Sequence, residues 1–235
     1  MEVAVLLASG MGIRMRPLTD TIPKPLIKVA GKPMIETVID GLEHRGVSKI
    51  YVVVGYLKEQ FDYLEQKYPN LELIYNPDFA AVNNISSVYY ACDVICNSDC
   101  FICEADLYVA DQRIFDADLQ SSCYYGKMVE GYSADWVFDL DDNHLISKIG
   151  KAGVNKFNMS GVAYFKKQHA ILIADAIRAV YNTKGYETLF WDEVVDRNLK
   201  KIMLYVHPVE GKQIVEIDTV EELKEANEKF SKMNL

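Results

Sequence analysis

Basic residues are in the minority in this chain. Its 25 lysines and arginines face 34 aspartates and glutamates, for a net charge of −9 over 235 residues. A general nucleic-acid binder must present basic surface to a phosphate backbone, and that class is set aside. No apolar run reaches the length of a membrane span. The N-terminus reads as a strand with an acid at position 2, without the basic start and apolar core of a secretory signal, so a cytoplasmic location is expected. Histidine is scarce: His44, His144, His169 and His207 have no metal-ligand spacing and read as surface or packing residues. No repeat, low-complexity tract or linker divides the chain.

The five cysteines, Cys92, Cys96, Cys100, Cys103 and Cys123, lack a framework. Cys100 and Cys103 belong to a strand-like run, in which residues three apart point to opposite faces, and no second pair follows at zinc spacing. Reduced, mostly buried thiols are expected. Half of the residues are hydrophobic, enough for a substantial core in one α/β domain.

The basic character that is present concentrates near the start. A short apolar strand, Glu2 to Leu7, runs into Ala8-Ser9-Gly10-Met11-Gly12-Ile13-Arg14, then Pro17, Thr19 and Pro23-Lys24-Pro25. Gly10 and Gly12 let the backbone turn and approach phosphates, and Arg14 and Lys24 supply charge, so the segment can wrap a nucleoside triphosphate. So long a connection before the next helical pattern in a compact domain usually binds something or is disordered. It is neither a Walker loop nor a Rossmann fingerprint, because Met15 stands where the third glycine would be.

The full pattern Gly10-x-Gly12-x-Arg14-x-x-Pro17-x-Thr19-x-x-x-Pro23-Lys24-Pro25-Leu26 resembles the signature of nucleotidyltransferases that make sugar nucleotides and related CDP- or UDP-linked compounds. Leu7-Ala8-Ser9-Gly10 stands where that family usually has Leu-Ala-Ala-Gly. The resemblance implies that the loop holds the triphosphate and that Lys24 contacts phosphate.

Apolar periodicity alternates strand Val3–Leu7, helix Met34–Arg45, strand Lys49–Val54, helix Lys58–Tyr68 and strand Glu72–Tyr75. This βαβαβ order predicts a Rossmann-like three-layer α/β/α fold, its central sheet mainly parallel but mixed, with ligands outside the carboxyl ends of the strands. A helix is expected near Ser86 and a strand at Asp99–Glu104. Beyond residue 120 the pattern turns strand-rich: Ser121–Met128, Trp136–Leu140, His144–Lys148 and Asn158–Phe165. Helices Lys167–Tyr181 and Thr188–Asn198, strands Lys201–Val206 and Gln213–Ile217, and a helix capped by Thr219 and Glu222 complete the chain. We read 1–235 as one domain: about 1–120 for the nucleotide, about 121–217 as a substrate-side elaboration, and 218–235 as the C-terminal helix.

Asp106 ends one strand, and Glu216 and Asp218, two apart and so on one face, end another. Carboxylates at two strand ends can converge on Mg²⁺, which takes one or two of them and completes its shell with substrate phosphates and water. Asp218 could instead cap the last helix and Asp106 start a turn. The family places metal-binding aspartates at equivalent strand ends, which implies Asp106 and Asp218, with Glu216 beside them.

Both tryptophans lie beside carboxylates, in Tyr132-Ser133-Ala134-Asp135-Trp136 and Tyr186-Glu187-Thr188-Leu189-Phe190-Trp191-Asp192-Glu193. Aromatic faces with nearby anions hold quaternary ammonium groups. From composition alone, in a chain with 15 tyrosines, ordinary core packing is the favoured reading of both.

From Gly55-Tyr56-Leu57-Lys58-Glu59-Gln60-Phe61-Asp62-Tyr63-Leu64, through Asn83-Asn84-x-x-Ser87, Asp135-Trp136 and Leu189-Phe190-Trp191-Asp192, to Glu216-Ile217-Asp218, the chain is similar to bacterial choline-phosphate cytidylyltransferases nearly end to end. The resemblance implies that CTP and phosphocholine give CDP-choline and pyrophosphate. It also implies an aromatic pocket built from Trp136, Trp191 and Asp192, with Tyr132 and Tyr186 as further aromatic candidates. Leu7, Ala8, Ser9, Gly10, Gly12, Asn83 and Ser87 would bind the nucleotide, although Asn83, Asn84 and Ser87 also suit helix capping. A phosphate oxygen would attack the α-phosphorus in line, with Lys24, Arg14 and Mg²⁺ neutralising charge and no protein nucleophile. Inversion at a chiral α-phosphorothioate is expected.

Phosphoethanolamine or 2-aminoethylphosphonate remains open as the acceptor, because a primary ammonium needs hydrogen-bond acceptors and Asp135, Asp192 and Glu130 offer them. A sugar 1-phosphate would favour polar side chains where the tryptophans fall. A non-catalytic nucleotide-binding domain would be expected to have lost Lys24, Asp106 or Asp218. The residues do not give an oligomeric state.

Overall fold

The computed structural model describes residues 1–232. In chain order the elements are β1 (Glu2–Ala8), β2 (Lys28–Val29), β3 (Lys32–Pro33), α1 (Met34–Arg45), β4 (Lys49–Val54), α2 (Tyr63–Lys67), β5 (Leu71–Tyr75), α3 (Ile85–Tyr90) and α4 (Cys92–Ile95). There follow β6 (Asp99–Glu104), β7 (Leu107–Val109), β8 (Cys123–Leu140), β9 (Ile146–Phe165), α5 (Lys167–Val180), α6 (Trp191–Asp196), β10 (Tyr205–Pro208), β11 (Ile214–Glu216) and α7 (Val220–Ser231).

Seven strands form the central sheet in the order β10-β8-β9-β6-β1-β4-β5. Neighbours from β6 to β5 run parallel, and β9 is antiparallel to both β6 and β8, so the sheet is mixed as expected. The apolar run of β1 is explained by cover on both sides. Ala4, Leu6 and Ala8 pack with Ile35, Val38, Ile39 and Leu42 of α1, while Val3, Val5 and Leu7 pack with Val88 of α3 and Ile173, Ala174 and Ile177 of α5. Cys100 and Cys103 divide between the same two faces, and all five thiols are free. Helix α1 stops at Gly46, whose φ of 82° lets its N–H turn back to the carbonyls of Leu42 and Glu43.

A third, smaller core positions the site. Met15, Ile27, Val29 and Met34 pack on Tyr108, Ile217, Ala226 and Phe230, fastening the first long loop to α7. The N–H of Ala30 donates to Asn227 Oδ1 at 2.9 Å across the same seam.

Several elements differ from the sequence reading. The expected strand pairs in the middle of the chain are two long strands, 18 residues in β8 and 20 in β9. Their outer part is solvated on both faces and their register shifts repeatedly, which erases the alternation that marks a half-buried strand. His144 lies in the connecting turn at φ 60°, outside either strand. The helix expected at Lys58–Tyr68 is a 3₁₀ turn, Lys58–Phe61, followed by α2. The last two strands are β10 and β11, and β11 pairs with β7 outside the central sheet. The helix expected over Thr188–Asn198 is the shorter α6, preceded by a 3₁₀ turn at Tyr186–Thr188. Among the described residues no helix is long and apolar enough to cross a membrane.

Candidate active site

The loop after β1 is held by its own polar groups. Gly12 sits at φ 58°, and a Cβ there would lie 2.9 Å from Lys24 Cβ and 3.1 Å from Thr19 Cγ2, so the close approach requires glycine. Thr19 Oγ1 donates to the Gly12 carbonyl at 2.9 Å. Tyr56 Oη donates to the Thr19 carbonyl at 2.9 Å and Gln60 Nε2 to the Thr21 carbonyl at 2.8 Å, so the segment after β4 braces the loop.

Lys24 is 7% exposed and bridges two strand ends. Its Nζ donates to Asp106 Oδ2 and, at 2.6 Å, to Asp218 Oδ1, which also accepts from Arg14 Nη2 at 2.7 Å. Burial opposes the lysine charge, but the two carboxylates outweigh it and hold Lys24 above the ordinary lysine pKa. Asp106 follows β6 and precedes β7, β11 pairs antiparallel with β7, and the Ile217 N–H donates to the Asp106 carbonyl at 3.3 Å. The Thr219–Glu222 capping box then fixes the start of α7, with Glu222 Oε2 also accepting from the Asp218 N–H at 2.6 Å.

These pairings bring one carboxylate oxygen each of Asp106, Glu216 and Asp218 within 4.8 Å of one another. Asp106 Oδ1 is buried and, among the described residues, has no hydrogen-bond partner. An all-oxygen donor set with an unpartnered carboxylate oxygen fits a hard divalent cation such as Mg²⁺. Glu216 faces the cleft, and desolvation by the surrounding protein, together with the charges of Asp106 and Asp218, keeps its carboxyl above the usual range.

Two cavities meet at this cluster. The first, about 360 Å³, is walled by Leu7, Ala8, Ser9, Gly10, Gly12, Lys24, Asn83 and Ser87. Every residue expected to bind nucleotide therefore lines one space. At its floor Ser9 Oγ and Ser87 Oγ are 2.7 Å apart, and Asn76 Nδ2 donates to Ser86 Oγ at 2.8 Å and to Ser9 Oγ at 3.2 Å. Asn84 does not use its side chain to cap α3. Its Oδ1 accepts from the Trp191 N–H at 3.1 Å and its Nδ2 reaches Glu104 Oε1 at 3.4 Å.

The second cavity, about 530 Å³, shares Arg14, Asn84, Glu104, Asp106 and Asp218 with the first. Its far side carries Lys127, Asp135, Trp136, Lys151, Phe190 and Asp192. The Trp136 and Phe190 rings meet edge to face, 5.3 Å apart at 67°. Asp192 is 3% exposed and accepts from Tyr124 Oη at 2.9 Å. Burial pushes its carboxyl up to about 7, with the Tyr124 hydrogen bond opposing the shift.

Three expected acceptor residues lie elsewhere. Trp191 is 3% exposed and packs against Tyr124 and Phe165 in the core beneath α6. Tyr132 is 71% exposed on the β8–β9 ribbon, and Tyr186 leans on Tyr181 at 4.8 Å. None of the three lines either cavity. Beside Trp136, the second cavity takes Phe190, one position before Trp191, because α6 begins at Trp191 and turns that ring inward. Glu104 lines both cavities as well, and its place two residues before Asp106 puts the two on the same side of the chain where β6 ends. Desolvation, with the charges of Asp106, Asp192 and Glu216, holds Glu104 well above the usual carboxylate range.

A cleft lined by a lysine and converging strand-end carboxylates offers the groups that nucleotidyl transfer needs, and the comparisons show that class of enzyme. Residues 4–128, more than half of the chain, match the MobA-like NTP transferase domain family, and the chain belongs to it. A 2-aminoethylphosphonate cytidylyltransferase from Lancefieldella rimae is 50% identical over 220 residues, 94% of this chain and 89% of that one. A choline-phosphate cytidylyltransferase from Streptococcus pneumoniae is 36% identical over 228 residues, 96% of each chain. The solved structure of a CTP:phosphocholine cytidylyltransferase from Streptococcus pneumoniae superposes with a TM-score of 0.89 at 34% identity, covering 97% of this chain and 98% of that one. The enzyme is thus a nucleotidyltransferase, and within that class a cytidylyltransferase.

Proposed function

We propose that the enzyme transfers CMP from CTP to the phosphonate oxygen of 2-aminoethylphosphonate, releasing pyrophosphate. The observation that carries this reading is the lining of the acceptor cavity, where the carboxyl oxygens of Glu104, Asp135 and Asp192 stand beside a single aromatic pair, Trp136 and Phe190. A primary ammonium is recognised by hydrogen-bond acceptors, whereas a quaternary one needs several aromatic faces. The 50% identity to a protein named for this acceptor supports the same choice. Phosphocholine is the second reading, favoured by the Trp136–Phe190 pair and by the Streptococcus pneumoniae relative.

In this reading the acceptor oxygen attacks the α-phosphorus, a P–O bond forms, and the bond to the bridging oxygen breaks as pyrophosphate leaves with that electron pair. Lys24 and Arg14 lie where they can meet phosphate charge, so the chain supplies alignment and neutralisation rather than a nucleophile. Asp106 and Asp218, with Glu216 beside them, would hold Mg²⁺, which when bound neutralises and orients phosphate oxygens. Ser9, Ser87 and Asn83 offer polar atoms along the nucleotide wall. We take 1–235 as one catalytic domain acting in the cytoplasm, where thiols such as these five remain reduced.

Phosphorus NMR of a mixture of enzyme, CTP, Mg²⁺ and 2-aminoethylphosphonate tests the proposal. A phosphonate resonance coupled to a new α-phosphate, with one pyrophosphate formed per coupling product, is expected. An unchanged phosphonate resonance, with phosphocholine consumed in a parallel sample, would move the assignment to the second reading. Asp106→Asn and Asp218→Asn should each abolish product while keeping the fold, and retained turnover in both would remove the metal assignment.

A further inference from the structure

The aromatic pair of the acceptor cavity already carries a cation. Lys151 stands directly opposite Trp136 across the β8–β9 ladder. Its Nζ lies 5.1 Å from the Trp136 ring centre and 4.8 Å from that of Phe190, inside the range at which an ammonium is attracted by a ring face. Among the described residues no carboxylate lies within ion-pair distance of Lys151. The two rings are the groups that hold it.

We infer that Lys151 is a specificity-determining residue: its ammonium is a built-in occupant of the Trp136–Phe190 face and selects against acceptors bearing a quaternary ammonium. This rests on the second cavity being the acceptor site proposed above. A trimethylammonium group donates no strong hydrogen bonds and needs those ring faces, so it must displace Lys151 and meet its like charge. A primary ammonium can donate instead to carboxyl oxygens, which the same cavity supplies from Asp135, Asp192 and Glu104, and it leaves Lys151 in place. The exclusion is graded rather than absolute. Lys151 is exposed, and an exposed ammonium on two ring faces accounts for roughly a tenfold difference in affinity.

Tetramethylammonium titrations followed by tryptophan fluorescence test this in the wild type, Lys151→Met and Lys151→Arg. Trp191 is buried in the core beneath α6, so the response reports on Trp136, and Trp136→Phe should abolish it. Lys151→Met is expected to bind tetramethylammonium about tenfold more tightly than the wild type and to lower the KM for phosphocholine by a similar factor. Lys151→Arg, which keeps a cation on the rings, is expected to behave as the wild type. Equal tetramethylammonium affinity in wild type and Lys151→Met would overturn the inference. So would a raised phosphocholine KM in Lys151→Met, since Lys151 would then be holding the anionic end of the acceptor. Turnover of 2-aminoethylphosphonate by the wild type is read separately: its absence would contradict the proposed function while the tetramethylammonium comparison still judges Lys151.

Discussion

Lys24 Nζ donates to Asp218 Oδ1 at 2.6 Å, joining residues 194 positions apart. The same ammonium also donates to Asp106, so one lysine from the first loop ties together the two strand ends that carry the carboxylate cluster. The contact links the first loop, the carboxylate cluster and the start of the C-terminal helix in a single ion network.

Replacing Lys24 with Met is expected to lower kcat by about 10²–10³-fold, the usual effect of removing one preorganised group that meets transition-state charge. It also leaves Asp106, Asp218 and Glu216 facing one another without their internal cation. The variant should therefore melt lower in chelator by roughly 1–3 kcal/mol, about 2–4 °C per kcal/mol for a chain of this size. Added Mg²⁺ should raise its Tm more than that of the wild type. Thermal melts with and without Mg²⁺ check both statements.

Gly12→Ala should cost activity without unfolding the protein. The added methyl meets Lys24 Cβ at 2.9 Å on a backbone at φ 58°, so strain and displacement fall on the loop that presents Lys24. Steady-state kinetics should show a higher KM for CTP and a lower kcat, with the KM for the acceptor little changed.

The two tryptophans should separate cleanly. Trp191→Ala opens a cavity between Tyr124 and Phe165 and is expected to destabilise the fold by about 3–5 kcal/mol, read by denaturant unfolding. Trp136→Ala, at the edge of the acceptor cavity, should leave stability nearly unchanged and raise the acceptor KM while sparing that for CTP. The reverse pattern would return Trp191 to the acceptor site.

Asp192 gives a pH signature with a definite sign. Its carboxyl is pushed from the ordinary 3.8 up to about 7, so between those values the folded state binds more protons than the unfolded one. Its contribution to stability is therefore most favourable at low pH, declines as pH rises through that window, and levels off above it. Asp192→Asn lacks this titration and should gain Tm relative to wild type between pH 5 and pH 8, while its KM for 2-aminoethylphosphonate rises because the carboxylate is lost. A Tm difference that does not change with pH would contradict the assignment.

Much of this architecture is legible in the chain. The run Val3 to Leu7 is apolar at every position because helices cover both faces of β1, and Thr219 with Glu222 marks the start of α7 by composition alone. The loop from Gly10 to Leu26 shows its chemistry in residue types, and the strand ends at Asp106 and Asp218 show where the cluster forms. The acceptor side is less legible, for physical reasons. Residue type does not say which of Phe190 and Trp191 turns inward, because that depends on where a six-residue helix begins. The outer β8–β9 ribbon buries too little to impose alternation, so its long pairing, and with it the position of Lys151 opposite Trp136, emerges only in three dimensions.

The most direct test of the account is pyrophosphate release by the purified enzyme with CTP and Mg²⁺, comparing kcat/KM for 2-aminoethylphosphonate, phosphoethanolamine and phosphocholine, with ATP, GTP and UTP as base controls. The account predicts release with CTP above the other nucleotides, and a kcat/KM for 2-aminoethylphosphonate at least tenfold above that for phosphocholine, a difference of about 1.4 kcal/mol in transition-state binding. A preference for phosphocholine of that size would contradict it, because the carboxylates of the acceptor cavity would then not be what recognises the substrate.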